Sequence, residues 1–241
     1  MRFNHIFKLT NENKTHREYK CNNVNINIDF ISDSALRVAV FNDNAKMLPT
    51  FTVNPNNNLS SFGRSRLSTD GFDCVAPVVE KFDNKEQFIL ACGVTVDLDL
   101  NNFILSYSKE SKFLFGDRPP LAYNFEGEFG NGSYHYITRE DDEHIFGLGD
   151  KSGPINKAGR VYRIETADSM GFDAEKTDPL YKHVPFYICE NSVGAYGIYY
   201  DTTDTSFVDL GREINNYYCH FKYFKTDDDC LVYYVFFGNK L

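Results

Sequence analysis

The sequence predicts an all-β protein in which antiparallel strands form a β-sandwich, with few or no helices. Apolar residues recur at every second position in many short stretches, as in VNINIDF (24–30), and this period is typical of strands that bury one face. Clusters of turn-forming residues such as NPNNN (54–58) and SKESK (108–112) separate the stretches. No window of about a dozen residues carries an apolar stripe with the period of a helix.

The same alternation of apolar and polar residues predicts each strand in turn. In 24–30 the apolar residues share one face, and the Asn and Asp residues lie on a face that we expect to contact water. ALRVAVF (35–41) and VTVDLDL (94–100) repeat the pattern, and a solvent-facing edge would explain Asp97 and Asp99. Further strands are predicted at QFILAC (87–92), NFILSYS (102–108), SYHYIT (133–138), VYRIETA (161–167), VPFYIC (184–189), GAYGIYY (194–200), NYYCHFKYF (216–224) and CLVYYVFF (230–237).

Composition narrows the function classes. The 241 residues suffice for one large all-β domain or two smaller ones. The net charge is -9 and no run of Lys or Arg occurs, which argues against nucleic acid as a partner. The amino end lacks the apolar region of a signal peptide, and no stretch approaches a membrane span. We therefore expect a cytoplasmic protein without a membrane partner. Cys92 and Cys189 lie in apolar runs, where reduced, buried thiols are expected.

No metal site, cofactor site or catalytic residue is predicted from the remaining polar patterns. The acidic runs 139–144 and 226–230 could offer oxygen ligands to a hard cation. Neither run has the spacing of a calcium loop, and acidic runs in turns are more often solvated faces. The histidines have no partner at catalytic or metal-binding spacing, so a triad is not indicated. They include His135, His144, His183 and His220.

A Gly-rich stretch at 144–168 is the most distinctive local feature. Gly147, Gly149 and Gly153 are followed by basic residues, which would suit a loop that cradles phosphate. Such a loop needs a helix directly after it, so that the helix amino terminus meets the phosphate. Pro154 and then a predicted strand occupy that place instead. A phosphate loop is therefore disfavoured.

The loop after this strand carries two carboxylates, Asp168 and Asp173, in TADSMGFD (166–173). An ionised carboxylate can accept hydrogen bonds from two sugar hydroxyls, so either residue could bind a carbohydrate. The alternative is a plain turn residue, because Asp is common in turns. The residues alone leave both interpretations open.

Residues 145–188 resemble the amino-terminal domain of glycoside hydrolase family 31, the α-glucosidase family. The family pattern runs from G-L-G-E-K to D-P-L-Y-x-x-x-P-F-Y. It is matched here by GLGDK (147–151), with Asp150 in place of Glu, and by DPLY (178–181) and PFY (185–187). The strand pair IDFISDSALRVAVF (28–41) and the strand CLVYYVFFG (230–238) are similar to those that open and close such domains. The resemblance in the order of strands and motifs therefore covers most of the chain.

The resemblance implies a β-sandwich of the galactose-mutarotase type (a supersandwich), packed against a (β/α)8 catalytic barrel. In it the Gly-rich segment would be a hairpin, and a loop would reach over the barrel mouth where the sugar binds. Asp168 matches a family aspartate that helps to bind substrate. An aromatic residue usually follows in that segment, and Met170 and Phe172 are the candidates here.

The catalytic part of the family pattern does not occur in this sequence. Retaining glycosidases need two carboxylates about 5 to 5.5 Å apart, which in this family are barrel aspartates, one within a W-x-D-M-like motif. The chain has no Trp, and a barrel takes roughly 250 further residues. We therefore expect residues 1–241 to be the non-catalytic amino-terminal domain of a larger α-glucosidase-like enzyme. Its partners would be its own carboxy-terminal catalytic barrel and an α-glucoside or oligosaccharide.

Two other functions remain open from the sequence. A free-standing carbohydrate-binding module or lectin predicts aromatic side chains exposed on one sheet face or in a groove. A mutarotase-like epimerase needs an acid and a base facing one sugar, and no His and Glu pair suggests itself for those roles.

Overall fold

The computed structural model describes residues 5–55, 63–127, 130–215 and 219–238, which form eighteen strands and no helix. No segment of this described part is therefore a helix that could cross a membrane. The strands are β1 (Lys8–Glu12), β2 (His16–Cys21), β3 (Val24–Phe30), β4 (Ala35–Asn42), β5 (Val78–Phe82), β6 (Lys85–Ile89), β7 (Val94–Asp99), β8 (Ile104–Lys109), β9 (Lys112–Gly116), β10 (Tyr123–Gly127), β11 (Gly130–Thr138), β12 (His144–Gly147), β13 (Val161–Ile164), β14 (Phe186–Glu190), β15 (Ala195–Tyr200), β16 (Ser206–Asn215), β17 (Cys219–Thr226) and β18 (Cys230–Gly238).

Three sheets, all antiparallel between neighbours, make up the sandwich. The large sheet has the order β1-β2-β3-β4-β18-β15-β14-β12. The first small sheet runs β5-β6-β7-β8-β9, and the second small sheet runs β10-β11-β17-β16-β13. A β-bridge between Asp117 and Ile137 links the two small sheets. The prediction of an all-β sandwich is confirmed, with one of the two layers divided in two.

The core lies between the large sheet and the two small ones. Ring pairs join the layers: Phe30 of the large sheet lies 5.1 Å from Phe88 of the first small sheet, measured between ring centroids. Tyr200 of the large sheet stacks on Phe224 of the second small sheet at 3.6 Å. All four rings belong to one cluster of buried side chains that draws on every sheet. Burying this much aromatic surface is a main source of stability.

The outer face of β3 is buried, contrary to the expectation that it contacts water. Asp29 is only 1% exposed, and Arg37 on β4 donates to its Oδ2 from Nη2 at 2.7 Å. The same guanidinium donates to the carbonyl oxygens of Arg66, Leu67 and Ser68. The long connection between β4 and β5 therefore folds back over the outer face of the large sheet. A second, smaller apolar cluster forms beneath it.

The strand with Asp97 and Asp99 is not an edge. β7 is the central strand of the first small sheet, with β6 and β8 on either side. Asp97 accepts a hydrogen bond from Gln87 Nε2 at 2.6 Å, and Asp99 accepts one from the backbone N–H of Asn101 at 2.9 Å. Both carboxylates are half-buried and partnered. The neighbouring strand β6 and the turn after β7 thus offer partners that the alternation alone does not reveal.

The cysteines whose side chains are described are free thiols: Cys21, Cys74, Cys92, Cys189 and Cys230. Cys189 is buried as expected, whereas Cys92 is only partly buried because it lies in the turn after β6. Burial raises the pKa of the Cys189 thiol to about 12, which keeps it protonated and unreactive. Residues 56–58 of the predicted turn NPNNN lie outside the described residues.

Candidate functional site

The Gly-rich stretch passes from one layer of the sandwich to the other. β12 pairs with β14 in the large sheet, whereas β13 pairs with β16 in the second small sheet. The hairpin implied by the family resemblance is therefore wrong, since the two strands that flank the stretch belong to different sheets. No helix follows Gly153, which removes the geometry that a phosphate loop requires.

Glycine is needed in this crossing because the chain runs very close to its neighbours. At Gly147, with φ of 120°, a Cβ would lie 2.6 Å from the carbonyl oxygen of Phe186. At Gly149, with φ of 67°, a Cβ would lie 2.9 Å from Val184 Cγ2. Both φ values lie in the region that favours glycine. The two glycines thus let the chain turn sharply against the segment that enters β14.

A buried lysine ties the crossing to the DPLY segment. The side chain of Lys151 is 0% exposed, and its Nζ lies 3.0 Å from Asp178 Oδ1. The same ammonium donates to the carbonyl oxygen of Arg163 at the end of β13. The other carboxylate oxygen of Asp178 accepts the backbone N–H of Arg163. These three residues form the anchor of the loop that follows β13, and we call them the loop anchor.

A second buried lysine supports the loop anchor through the backbone on which Lys151 lies. Lys157 is 6% exposed, and its Nζ donates to the carbonyl oxygens of Lys151 and Ser152 at 3.2 and 3.3 Å. Burial lowers its pKa, and the nearby cations Arg160 and Lys151 lower it further. The Lys157 ammonium thus stabilises the turn that contains Lys151.

The segment 165–185, here called the long loop, connects β13 to β14 and carries the three predicted site residues. Asp168 is exposed, and no described residue donates a hydrogen bond to its carboxylate or forms an ion pair with it. Met170 is 91% exposed and Phe172 is 49% exposed. The ring of Phe172 lies edge-on to that of Tyr181, with centroids 6.2 Å apart. Asp168, Met170 and Phe172 are thus all exposed on one anchored loop.

The other carboxylate of the loop has a different role. Asp173 Oδ1 accepts the backbone N–H of Glu175 at 2.8 Å, and the carbonyl oxygen of Asp173 accepts that of Thr177. These are the contacts of a turn residue. Tyr181, 41% exposed, was not predicted as a site residue. Its signal was its place in the DPLY motif, and its hydroxyl donates to the carbonyl oxygen of Ser169.

Both acidic runs contribute buried carboxylates, contrary to the expectation of solvated faces. Lys222 donates to both oxygens of Glu143, at 2.8 and 2.6 Å. Arg66 pairs with Asp228, and the side chains of both are 2% exposed. Among the described residues, no three His, Cys, Asp or Glu side chains are grouped so that they could hold a metal ion.

A buried histidine also has partners that sequence reasoning missed. His135 Nε2 lies 2.9 Å from Asp117 Oδ1, and Nδ1 lies 3.0 Å from the hydroxyl of Tyr200. His135 is 1% exposed and Asp117 is 4% exposed. This pair is enclosed in the core, so it offers no open acid and base to a sugar.

Comparison with known proteins identifies the family. The profile of the glycosyl hydrolase 31 N-terminal galactose mutarotase-like domain matches residues 25–209. The chain therefore belongs to this family, which confirms the resemblance seen in the motifs. Alpha-glucosidase 2 of Bacillus thermoamyloliquefaciens is 25% identical over 185 residues, covering 73% of this chain and 22% of that protein.

Solved structures share the fold. A Flavobacterium johnsoniae GH31 dextranase complexed with glucose aligns over 98% of this chain and 26% of its own, with 22% identity and a TM-score of 0.74. A glucosidase II alpha subunit bound to Glc1Man2 aligns over 99% of this chain and 33% of its own, with 12% identity and a TM-score of 0.75. The chain thus spans between about a fifth and a third of the length of these relatives.

Proposed function

We propose that the chain is the non-catalytic amino-terminal domain of a retaining α-glucosidase-like glycoside hydrolase, and that its long loop caps the active site. The observation that carries this proposal is the exposure of the Asp168 carboxylate on an anchored loop. Its carboxylate is exposed and has no partner among the described residues, although the loop that bears it is anchored by the buried Lys151. A polar group held outward on an anchored loop is ready to bind a ligand without prior rearrangement.

The chemistry of the loop suits a sugar. The carboxylate of Asp168 can accept hydrogen bonds from two hydroxyls. Met170 and Phe172 present apolar surface on the same loop, which suits the C–H face of a pyranose ring. The resemblance left open whether Met170 or Phe172 would contact the sugar. The contact between Phe172 and Tyr181 favours Phe172, because a ring held by a neighbour loses less freedom on binding.

Catalysis would come from a carboxy-terminal (β/α)8 barrel, the proposed partner of this domain. Retaining hydrolysis needs a nucleophile and an acid/base about 5 to 5.5 Å apart, and in this proposal both belong to the barrel. The substrate would be an α-glucoside or oligosaccharide. The matched relatives support this plan, because they are α-glucosidase-type enzymes several times longer than this chain.

Two measurements test the proposal. We expect the reading frame that encodes the chain to specify a (β/α)8 barrel with two well-placed aspartates after Leu241. We also expect the 241-residue chain alone to release no nitrophenol from a nitrophenyl α-glucoside, since one wall of a pocket carries no catalytic pair. Specific turnover by the chain alone, abolished by an α-glucosidase inhibitor, would overturn the assignment as non-catalytic.

A free-standing carbohydrate-binding module is the second candidate. It requires aromatic side chains in a groove or on one sheet face, and the second small sheet has such a groove on its outer face. The two candidates differ in what they predict for Asp168: only the first needs its carboxylate for turnover.

A further inference from the structure

The outer face of the second small sheet forms a groove lined with aromatic rings. Side chains at alternate positions of β11, β17 and β16 point away from the core, and the cavity between them has a volume of about 540 Å³. This volume lies within the range of small-molecule sites, about 300–1,000 Å³. The aromatic lining residues are Tyr134, Tyr136, Phe207, Phe221 and Tyr223.

The rings form a nearly continuous platform. Tyr134 and Tyr136 lie on one strand with centroids 6.0 Å apart and planes only 11° from parallel. Tyr136 is also 6.0 Å from Tyr223, which lies opposite it on β17. Tyr136 and Tyr223 are only half-buried. A concave aromatic surface that remains open to solvent is typical of a binding site rather than of a solvated sheet face.

Polar groups lie among the rings. Lys225 and the exposed Glu213 also line the groove. Asp209 lies in register with Tyr223 and so belongs to the same face. It is 1% exposed, and its Oδ2 has no hydrogen-bond partner among the described residues. A buried, unused acceptor is costly, and a hydroxyl donor that reached it would relieve that cost.

These observations select a class of ligand. Aromatic rings offer faces for C–H groups, while the Glu213 carboxylate and the Lys225 ammonium that line the groove offer an acceptor and a donor for hydroxyls. A neutral polyhydroxylated ring satisfies both sets of groups at once. A polyanion is disfavoured because the chain carries a net charge of -9. A purely apolar ligand would shield Glu213 and Lys225 from water without offering them hydrogen bonds.

We propose that this groove, which we call the aromatic groove, binds a segment of an α-glucan by stacking sugar rings on Tyr136 and Tyr223. The choice of α-glucan rests on the proposed function, whereas the groove itself does not. Arg163 connects the two regions: its guanidinium lies 5.6 Å from the ring of Phe207, and its backbone N–H binds Asp178 of the loop anchor. A glucan chain in the groove would therefore run towards the base of the long loop.

The absence of Trp from the sequence allows a sharp test. A Tyr223→Trp variant carries a single indole in the groove, and a Phe82→Trp variant carries one on β5, where Phe82 is 59% exposed. Each is titrated with maltoheptaose and with isomaltoheptaose. We expect saturable quenching or a blue shift with at least one oligosaccharide in the first variant and none in the second. No saturable change in the Tyr223→Trp variant, or an equal change in both, would overturn the proposal.

Calorimetry on the natural sequence separates the groove from the loop. Tyr136→Ala is expected to weaken oligosaccharide binding by about tenfold. Tyr136→Phe keeps the ring and is expected to preserve most of the affinity. Circular dichroism checks that both variants are folded. Phe82→Ala, a substitution on the other small sheet, is expected to leave binding within about twofold. Loss of binding in Asp168→Ala but not in Tyr136→Ala would refute the groove and leave the loop proposal standing. Oligosaccharide binding in the groove together with normal turnover of an Asp168 variant enzyme would refute the loop proposal and leave the groove proposal standing.

Discussion

Two lysine–aspartate pairs in the same region offer a matched test of the loop anchor. Lys151 Nζ and Asp178 Oδ1 are 3.0 Å apart, and so are Lys182 Nζ and Asp150 Oδ2. The side chains of the first pair are 0% and 20% exposed, whereas those of the second are 68% and 48% exposed. Replacing either lysine by methionine removes one ammonium and keeps a side chain of similar length. Burial is therefore the main difference between the two substitutions.

The structure sets the expected magnitudes. Lys151→Met removes a charge-assisted hydrogen bond, worth about 1.5–3 kcal/mol, and one bond to a carbonyl oxygen, worth about 1 kcal/mol. Asp178 keeps the N–H of Arg163 and some contact with water, which lowers the cost. We expect a loss of about 2–3 kcal/mol in the free energy of unfolding. For Lys182→Met, an exposed pair, the loss should be about 0–1 kcal/mol.

Urea unfolding followed by circular dichroism measures both values. Each kcal/mol corresponds to about 2–4 °C in Tm for a chain of this size, so Lys151→Met should melt several degrees below Lys182→Met. Hydrogen exchange adds a local readout, because the amide of Arg163 should lose protection only when Lys151 is replaced. Equal stability of the two variants would refute the anchor.

Three further outcomes are expected. His16→Gln should cost most stability at low pH. Burial lowers the pKa of His16, but hydrogen bonds to Glu18 and Asp29 together outweigh it and raise the pKa above its ordinary value. The stabilising contribution of His16 is therefore complete below the unfolded pKa of about 6.5 and is lost as pH rises through the folded pKa. Urea unfolding across pH 5–9 checks this, and a cost that grows with pH would contradict it. Lys222→Met leaves the carboxylate of Glu143 buried without its cation and should cost about 3–5 kcal/mol, part of which a second Glu143→Leu change should restore in the same assay; no recovery would speak against the ion pair as the cause. Gly147→Ala should lower stability by about 1–3 kcal/mol, since φ is 120° and the added Cβ would lie 2.6 Å from a carbonyl oxygen; a thermal melt indistinguishable from that of the natural sequence would argue against the close approach.

Local pattern was enough to predict the strands but not the surroundings of their outer faces. Alternation placed Ile26 and Ile28 in the core correctly. It could not show that Asp29 is covered, because polar residues occupy that face whether water or a distant segment contacts it. The covering segment is bound by Arg37 to carbonyl oxygens about thirty positions further along the chain. Contacts at such separations leave no periodic signal in the sequence.

In the site, too, local sequence predicts the position of a residue in a strand or loop but not its contacts with distant segments. The strand pattern and the following Gly-containing stretch place Asp168 in a loop after a strand, and in the structure it lies in such a loop, exposed. The link between Lys151 and Asp178 joins residues 27 positions apart, and neither spacing nor composition indicates it. The family resemblance implies a hairpin for the Gly-rich stretch, but the sheet that each flanking strand joins depends on pairing with β14 and β16 further along the chain.

The proposed role of Asp168 is tested most directly by steady-state kinetics of the full-length enzyme that the proposal assumes, in Asp168→Asn and Asp173→Asn forms. Asp168→Asn keeps the side-chain shape but removes the charge that strengthens hydrogen bonds to sugar hydroxyls. Asp173→Asn keeps an acceptor for its turn. We predict that kcat/KM for an α-glucoside falls by about tenfold or more in the first form and stays within about twofold in the second. Equal kcat/KM values for Asp168→Asn and the natural enzyme would contradict the account.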